Sequence, residues 1–249
     1  MMKVSSDMVA LLNEQAADQS ALERIQALRT AILGPVVFTT SFGIEDQAIT
    51  HIIATAGIKI AFATLDTGRM FPQTYEVWAQ TEALFGIKVQ SFSPQTSAVE
   101  ALTAAQGVNG FYGSMGARKA CCETRKLEPL ERALSGAQGW VTGLRADQSD
   151  HRQALSFVSF DEERGLVKLN PIFDWTRADA VAFTKANNVP VNSLHAQGFL
   201  SIGCAPCTRA VAEGEPERAG RWWWESEAKK ECGLHLGPDG RLSRAGVPA

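Results

Sequence analysis

Residues 35–47 read PVVFTTSFGIEDQ, a short apolar run that passes into a Ser-Phe-Gly turn. The run is rich in β-branched residues and begins after Gly34 and Pro35, which is typical of a buried strand. A segment with helical character follows the turn as far as about residue 56. A buried strand that passes through a short turn into a helix predicts a βα unit.

The same alternation continues along the chain. Further strands are predicted at residues 58–65, 87–92 and 139–144, and helices at 6–32, 72–85, from about 97, up to about 134, and at 176–187. This order predicts an α/β fold of Rossmann-like type, with a largely parallel sheet and flanking helices. Three parts are expected: a helical segment (1–33), an α/β nucleotide-binding domain (34–195) and a functional C-terminal tail (196–249).

Composition excludes several classes of protein. The 249 residues carry a net charge of −3, whereas a general nucleic-acid binder would be basic. The first 18 residues lack the apolar run of a secretory signal, and no stretch is apolar enough to span a bilayer. The five cysteines are an odd number, which fits thiols that bind metal or do chemistry in a reducing compartment. We therefore expect a cytoplasmic protein without nucleic-acid or membrane partners.

Four of the cysteines form two pairs, Cys121-Cys122 and Cys204-x-x-Cys207, each flanked by cations. Four thiolates can close a structural zinc site or hold a [4Fe-4S] cluster, and the plain alternative is two inert buried pairs. Vicinal cysteines crowd a single small ion, so the cluster is favoured. Cys232 stands apart and is the candidate working thiol. His235, three residues later, could stabilise its thiolate or hold an anion.

Two loops carry residues suited to an anion. Ser41 and Gly43 follow the first predicted strand, and Asp66 and Gly68 follow the second. Backbone N–H groups at a strand-to-helix turn bind anions, although capping and turn formation alone also explain these residues. Because ligands of open α/β sheets bind at the carboxyl ends of strands, the two loops together favour a nucleotide.

Taken in order, the motifs resemble those of the assimilatory sulfonucleotide reductases, and specifically the iron–sulfur adenylyl-sulfate (APS) reductase branch. The resemblance covers about residues 35–235. It implies an adenine-nucleotide alpha-hydrolase-like fold. The motifs that carry it are SFGIEDQ (41–47), LDTG (65–68), CC with RK (121–126), TGLR (142–145), SIGCAPCTR (201–209), RAGRWWWE (218–225) and ECGLH (231–235).

The resemblance also implies roles for individual residues. Cys232 would be the catalytic nucleophile, and a [4Fe-4S] cluster would be the cofactor. The implied cluster ligands are Cys121, Cys122, Cys204 and Cys207. The implied substrate-binding residues are Ser41, Gly43, Asp66 and Gly68 in the AMP loops, Arg145 and Arg152 in an arginine loop, and Lys126, Arg218, Arg221 and His235 around the phosphosulfate.

The implied activity is reduction of APS to sulfite and AMP, through a sulfonate carried on Cys232. Thioredoxin or glutaredoxin would supply the electrons, and a homo-oligomer is compatible with the sequence. The first alternative is reduction of the 3′-phosphorylated nucleotide (PAPS) or of both nucleotides, but relatives specific for PAPS usually lack both cysteine pairs. More distant alternatives are a tRNA-thiolating or other ATP-pyrophosphatase-like enzyme and a non-enzymatic iron–sulfur nucleotide sensor. Phe42 and Glu45 argue against the first of these.

Overall fold

The computed structural model describes residues 6–148, 152 and 156–225. The helices are α1 (Ser6–Ala16), α2 (Ala21–Ala31), α3 (Ile44–Thr55), α4 (Pro72–Phe85), α5 (Thr96–Gln106), α6 (Met115–Cys122), α7 (Glu128–Ala133) and α8 (Arg177–Ala186). The strands are β1 (Val36–Thr39), β2 (Ala61–Leu65), β3 (Val89–Phe92), β4 (Gly139–Val141), β5 (Val158–Asp161) and β6 (Leu166–Leu169). A π-helical turn, Glu123–Leu127, joins α6 to α7, and short 3₁₀ turns lie at Gly110–Tyr112, Ala146–Gln148, Ser193–Gln197 and Ala205–Cys207.

The six strands form one sheet in the order β3-β2-β1-β4-β6-β5. Strand β1 pairs in parallel with β2 and β4, β4 pairs in parallel with β6, and β5 pairs antiparallel to β6 at the edge. Helix α3 lies between β1 and β2, α4 between β2 and β3, and α5 to α7 between β3 and β4, whereas the described residues between β4 and β6 form a 3₁₀ turn and β5. The prediction of an α/β fold with a largely parallel sheet is therefore confirmed.

One face of the sheet carries the main hydrophobic core. Phe38, Val141 and Leu169 lie side by side on adjacent strands, because each is the register partner of the next. Ile25 of α2 and Ile49 of α3 are fully buried against this face. Burying a large aliphatic or aromatic side chain contributes about 1.5–3 kcal/mol, so this layer fixes the sheet and thus the loops that leave it.

The chain divides into two compact units, and each is described by itself. The sheet unit comprises Met1–Thr64, Pro72–Gln90 and Gly136–Ser193. The cysteine unit comprises Leu65–Phe71, Ser91–Ser135 and Leu194–Ala249. Among the residues described, no helix is both long and apolar enough to cross a membrane.

Some predicted bounds were wrong, since the strand expected at 58–65 begins at Ala61 and the strand expected at 139–144 ends at Val141. Two larger features were also wrong or missing. The single helix expected at residues 6–32 is broken into α1 and α2, because Ser20 and Glu23 form a capping box that starts a new helix. The Ser20 N–H donates to Glu23 at 2.7 Å, and the Ser20 hydroxyl accepts from the Glu23 N–H at 3.3 Å. The hairpin of β5 and β6 was not predicted. Its turn has Gly165 in the left-handed region at φ 65°.

Candidate functional site

The turn between β1 and α3 is held by its own side chains. Asp46 accepts hydrogen bonds from the Ser41 backbone N–H at 2.6 Å and from the Ser41 hydroxyl at 2.8 Å. Phe42 has a left-handed backbone at φ 58°, which is rare for a bulky residue, and its ring is buried and stacks on Trp78 at 5.4 Å. Burial of the ring thus holds a strained backbone immediately before Gly43.

Gly43 begins α3 without any side-chain cap. Its φ of −66° is accessible to any residue, and an added Cβ would make only ordinary contacts with Ser41 and Glu45. The glycine is therefore not required by the fold itself. Its absent side chain leaves the first N–H groups of α3 open to a close ligand, as an anion-binding helix N-terminus needs.

The loop after β4 is tied to the same turn. Arg145 is completely buried, and its Nε donates to Glu45 at 2.9 Å while its Nη1 pairs with Asp147 at 3.1 Å. Gln148 donates to Glu45 at 3.1 Å and accepts a hydrogen bond from the buried Arg152. The sheet unit thus joins Arg145 and Arg152, the predicted residues of the arginine loop, to Glu45 in the first turn of α3.

Gly143 allows this arrangement by its size. A Cβ at Gly143 would overlap the carboxylate of Asp46, so a side chain there would require that carboxylate to move. Asp46 is at the same time the residue that holds Ser41. In the TGLR motif, the glycine therefore permits a close approach to Asp46, and the arginine supplies the charge that pairs with carboxylates.

In the cysteine unit, the turn after β2 leads to the cysteines. Asp66 accepts a hydrogen bond from the Gly68 N–H at 2.9 Å, and Gly68 has φ 68°. Between them, the Thr67 hydroxyl lies 3.3 Å from the Cys204 sulfur, and the Thr67 carbonyl accepts from Arg125 at 2.8 Å. The DTG motif is thus an Asx turn that directs its central threonine to a cysteine.

The two cysteine pairs come together. Cys121, Cys204 and Cys207 pack in one cluster with the buried rings of Phe111 and Trp222. The 3₁₀ turn at Ala205–Cys207 is fixed from outside the cluster, since the Ala205 N–H donates to the Arg69 carbonyl at 2.8 Å. Cys121 therefore packs with a cysteine pair that follows it by more than eighty positions in the sequence.

These thiols are costly to ionise in isolation. Burial, reinforced by the nearby Cys204, raises the pKa of Cys207 to about 12. Burial also raises the pKa of Cys121, an effect that Arg125 opposes and Cys204 reinforces. Mutual repulsion of close, buried thiolates is what a bound cation relieves, because a metal binds the deprotonated sulfur.

The fourth cysteine has a different neighbour. The sulfur of Cys122 is hydrogen-bonded to the guanidinium of Arg118. In the ranges that the structure describes, no three His, Cys, Asp or Glu side chains converge closely enough to hold a single metal ion. Cys121 and Cys122 thus have different neighbours although they are adjacent in sequence.

The predicted cations of the cysteine unit have different surroundings. Arg221 is buried, packs over the Trp222 ring at 4.9 Å and lies so close to Gly203 that a Cβ there would overlap its guanidinium. Lys126 lies on the π-helical turn directly after the cysteine pair, a local geometry frequent at functional sites, and is partly exposed. Arg218, also partly exposed, accepts the Arg221 backbone N–H at 2.9 Å.

Two of the predicted site residues, Cys232 and His235, lie outside the described residues. Conversely, the sequence placed Arg118 only as one of the cations that flank the first cysteine pair, and sequence reasoning missed Thr67 and Glu225 as parts of the cysteine environment. Thr67 stood inside a motif that was already singled out, so the signal was available. Arg118 and Glu225 are 107 positions apart, and nothing in a single sequence joins them.

The chain resembles a known domain and several known proteins. Residues 35–210 match the phosphoadenosine phosphosulfate reductase domain. The adenosine 5′-phosphosulfate reductase of Agrobacterium fabrum is 52% identical over 203 residues, which are 82% of this chain and 78% of that protein. The protein of the same name from Allochromatium vinosum is 48% identical over 82% of this chain and 79% of its own length.

Solved structures show a related fold. A phosphoadenylyl-sulfate (PAPS) reductase from Candida auris in complex with phosphate is 25% identical, with a TM-score of 0.71 over 84% of this chain and 99% of that one. An FMN adenylyltransferase from Candida glabrata is 15% identical, with a TM-score of 0.50 over 93% of this chain and 88% of that one. The second likeness concerns the fold alone.

Proposed function

This chain belongs to the phosphoadenosine phosphosulfate reductase family, and we propose that it reduces APS to sulfite and AMP in sulfate assimilation. The observation that carries the proposal is the cysteine group. Cys121, Cys204 and Cys207 pack together in the cysteine unit. Relatives that carry the APS reductase name are about half identical to this chain over most of its length.

The cofactor of this proposal is a [4Fe-4S] cluster held by Cys121, Cys122, Cys204 and Cys207. What supports this set is that Cys121 interacts with Cys204 and Arg125 whereas its neighbour Cys122 interacts with Arg118. Diverging thiols suit separate iron corners better than one zinc ion, whose four sulfurs would all lie about 2.3 Å from the metal. When bound, the cluster would supply a fixed centre of charge within the cysteine unit.

The proposed reaction begins at Cys232. Its thiolate attacks the sulfur of APS, the new S–S bond forms, and the S–O bond to AMP breaks with its electron pair leaving on the AMP phosphate. A thiolate of thioredoxin or glutaredoxin then attacks the Cys232 sulfur and displaces sulfite. The second thiol of that partner resolves the mixed disulfide, so its dithiol supplies both electrons.

Each unit supplies defined groups to this chemistry. In the sheet unit we assign Ser41, Gly43, Arg145 and Arg152 to nucleotide binding; Arg145 acts mainly by holding Glu45 and thereby the loop. In the cysteine unit we assign Asp66 and Gly68 to the nucleotide, and Lys126, Arg218 and Arg221, with His235, to the phosphosulfate. Cations facing a leaving phosphate favour its departure.

The first test is anaerobic sulfite release from APS and from PAPS with thioredoxin or glutaredoxin as reductant. The expected result is turnover with a clear preference for APS in kcat/KM. The family match and the Candida auris structure make PAPS the second candidate substrate. A higher kcat/KM for PAPS than for APS would identify PAPS as the substrate. Binding of the nucleotide without any sulfite would point to a sensor.

The second test isolates the first half of the reaction. Enzyme mixed with APS and no reductant should release about one AMP per active site and no sulfite, since covalent catalysis splits the reaction into two steps. Mass spectrometry should locate a sulfonate on the peptide that contains Cys232. Cys232→Ser should keep the iron and bind AMP but form no adduct, and an adduct on another cysteine would contradict the mechanism.

A further inference from the structure

Arg118 is buried inside the cysteine unit, with 1% of its surface exposed. Its guanidinium makes a two-pronged ion pair with Glu225, in which Nε lies 2.6 Å from one carboxylate oxygen and Nη2 lies 3.0 Å from the other. The central carbon of the same guanidinium lies 4.6 Å from the centre of the buried Trp222 ring. Two parallel charge-assisted hydrogen bonds fix the planes of both groups, so the guanidinium has a defined orientation.

The oriented guanidinium also reaches a sulfur. Arg118 and Cys122 stand one turn apart on α6, where side chains at positions i and i+4 lie on the same helix face. The guanidinium is hydrogen-bonded to the Cys122 sulfur. A positively charged donor holds the electron pairs of a sulfur more tightly than a neutral donor does, because the charge adds to the hydrogen bond.

The preceding cysteine has an arginine of its own. Cys121 is hydrogen-bonded to Arg125, which also donates to the neutral Thr67 carbonyl at 2.8 Å. The two adjacent sulfurs therefore have separate arginine donors. The donor of Cys122 shares its charge with a carboxylate, that of Glu225, whose side chain is only 8% exposed.

We propose that Arg118 positions and polarises Cys122 as an iron ligand, and that Glu225 sets how strongly it does so. The inference rests on the proposed function and deepens it, since neither Arg118 nor Glu225 has a part in the proposed reaction. Glu225 keeps the guanidinium in place and neutralises much of its charge. The proposal also gives a reason for the buried ion pair, because apolar residues of similar size would pack without a desolvation cost.

The two members of the ion pair should affect a bound cluster in opposite directions. The charge-transfer absorption from cysteine sulfur to iron moves to longer wavelength when the sulfur holds its electrons less tightly, and nearby charge and hydrogen bonds tune a cluster. Arg118→Met removes the donor, so the band should move to longer wavelength. Glu225→Gln keeps the side-chain shape and removes the negative charge, so the band should move to shorter wavelength.

A second ion pair of the cysteine unit provides a matched control. Arg209 and Glu215 make the same two-pronged contact at 2.8 Å for each prong, but both side chains are about one-third exposed. Glu215→Gln therefore removes an equivalent carboxylate from the same unit and should leave the band unchanged.

The experiment records the visible absorbance of anaerobically purified protein, normalised to its iron content. Removal of one partner of a buried ion pair destabilises the fold, so the double variant Arg118→Met/Glu225→Met serves where a single variant does not fold. Its band should also lie at longer wavelength than that of the wild type, because the hydrogen bond to Cys122 is lost.

A merely structural role of the ion pair would move the band of both single variants in the same direction. Shifts of the same sign, or a double variant with the band of the wild type, would overturn the proposal. Wild-type protein without an iron–sulfur cluster would overturn the proposed cofactor and this inference with it. A loaded wild type whose variants all keep its band would overturn this inference alone.

Discussion

The two compact units use buried arginine in different ways. In the sheet unit, Arg24 pairs with Asp174 at 2.7 Å and Arg145 pairs with Glu45 at 2.9 Å, so each positive charge meets a carboxylate. In the cysteine unit, Arg125 donates to the Thr67 carbonyl and to Cys121, and Arg118 divides its donors between Glu225 and Cys122.

The difference separates two uses of the same side chain. An arginine matched by carboxylates within its own unit holds loops together and adds no field beyond them. An arginine directed at sulfur stabilises a thiolate, which a buried cysteine group requires before it can bind metal. We therefore expect substitutions in the sheet unit to change mainly the free energy of unfolding. Substitutions in the cysteine unit should change mainly the metal content and the turnover rate.

The largest expected effect is that of Cys204→Ser. Cys204 packs with the other cysteines and contacts Thr67, so its loss removes one ligand from the proposed set of four. Anaerobically purified wild type should carry about four iron and four sulfide per chain, whereas the variant should be colourless with turnover at background. Iron analysis and visible absorbance measure this. Cys232→Ser, which should keep its iron, is the control, and stoichiometric zinc in the wild type would contradict the cluster.

The second effect is on the sheet unit. Arg145→Met leaves the buried Glu45 carboxylate without its ion-pair partner, and breaking a buried pair in this way costs about 3 kcal/mol. Chemical denaturation should show this loss while iron content per folded chain stays unchanged. Arg132→Met is the control, since Arg132 pairs with Glu128 at a position one-third exposed, where such pairs contribute about 0–1 kcal/mol. Equal losses in the two variants would show that burial is irrelevant.

The sequence predicted these two units unevenly. Local signals were sufficient for the βα units, because apolar runs, glycine turns and caps act within a few residues: α4 was predicted at its observed bounds. The capping box at Ser20 and Glu23 was also local but was overlooked, so one helix was expected where two exist. The edge hairpin was not predicted, because β5 and β6 are only four residues each, which is too short for the hydrophobic periodicity to identify a strand.

The candidate site divides in the same way. The cysteine pairs, the DTG turn and the TGLR loop were all recognised by spacing and motif. The charged partners of these motifs were not recognised, because the Glu45–Arg145 and Arg118–Glu225 ion pairs join positions about a hundred residues apart. Such pairing is decided by the fold. A single sequence shows which charges exist, but not which of them neutralise each other.

The third effect is a dependence on pH in the sheet unit. Burial, together with the charge of Arg152 and Arg164 and against that of Asp161, lowers the pKa of Lys168 from 10.5 to about 7. Between these values the unfolded chain binds one more proton than the folded chain, so the free energy of unfolding rises with pH across this window and is lowest below about pH 7.

Substitution of this lysine tests the assignment. Relative to Lys168→Met, the wild type should gain on the order of a few kcal/mol between pH 7 and pH 10, measured by denaturation at each pH. Lys88→Met should show no such difference, because the Lys88 side chain is 93% exposed. A constant gap between the wild type and Lys168→Met across this range would mean that Lys168 does not titrate there.

The smallest effect compares one buried threonine from each unit. Thr67 lies 3.3 Å from the Cys204 sulfur, and Thr74 accepts a hydrogen bond from Asn192 at 3.2 Å; both are almost fully buried. Replacing either with valine keeps the shape. Thr74→Val removes the hydrogen bond from Asn192, whereas Thr67→Val removes both the contact with Cys204 and the hydrogen bond that the Thr67 hydroxyl accepts from the Arg69 N–H at 3.3 Å. Each hydrogen bond lost should cost about 1 kcal/mol of unfolding free energy. Only Thr67→Val should also change the visible spectrum of the loaded protein and speed the loss of iron to a chelator, because hydrogen bonds to ligand sulfur tune a cluster. Identical spectra and identical rates of iron loss in the two variants would show that the hydroxyl of Thr67 has no effect on the cluster through Cys204. The two threonines would then contribute to stability alone.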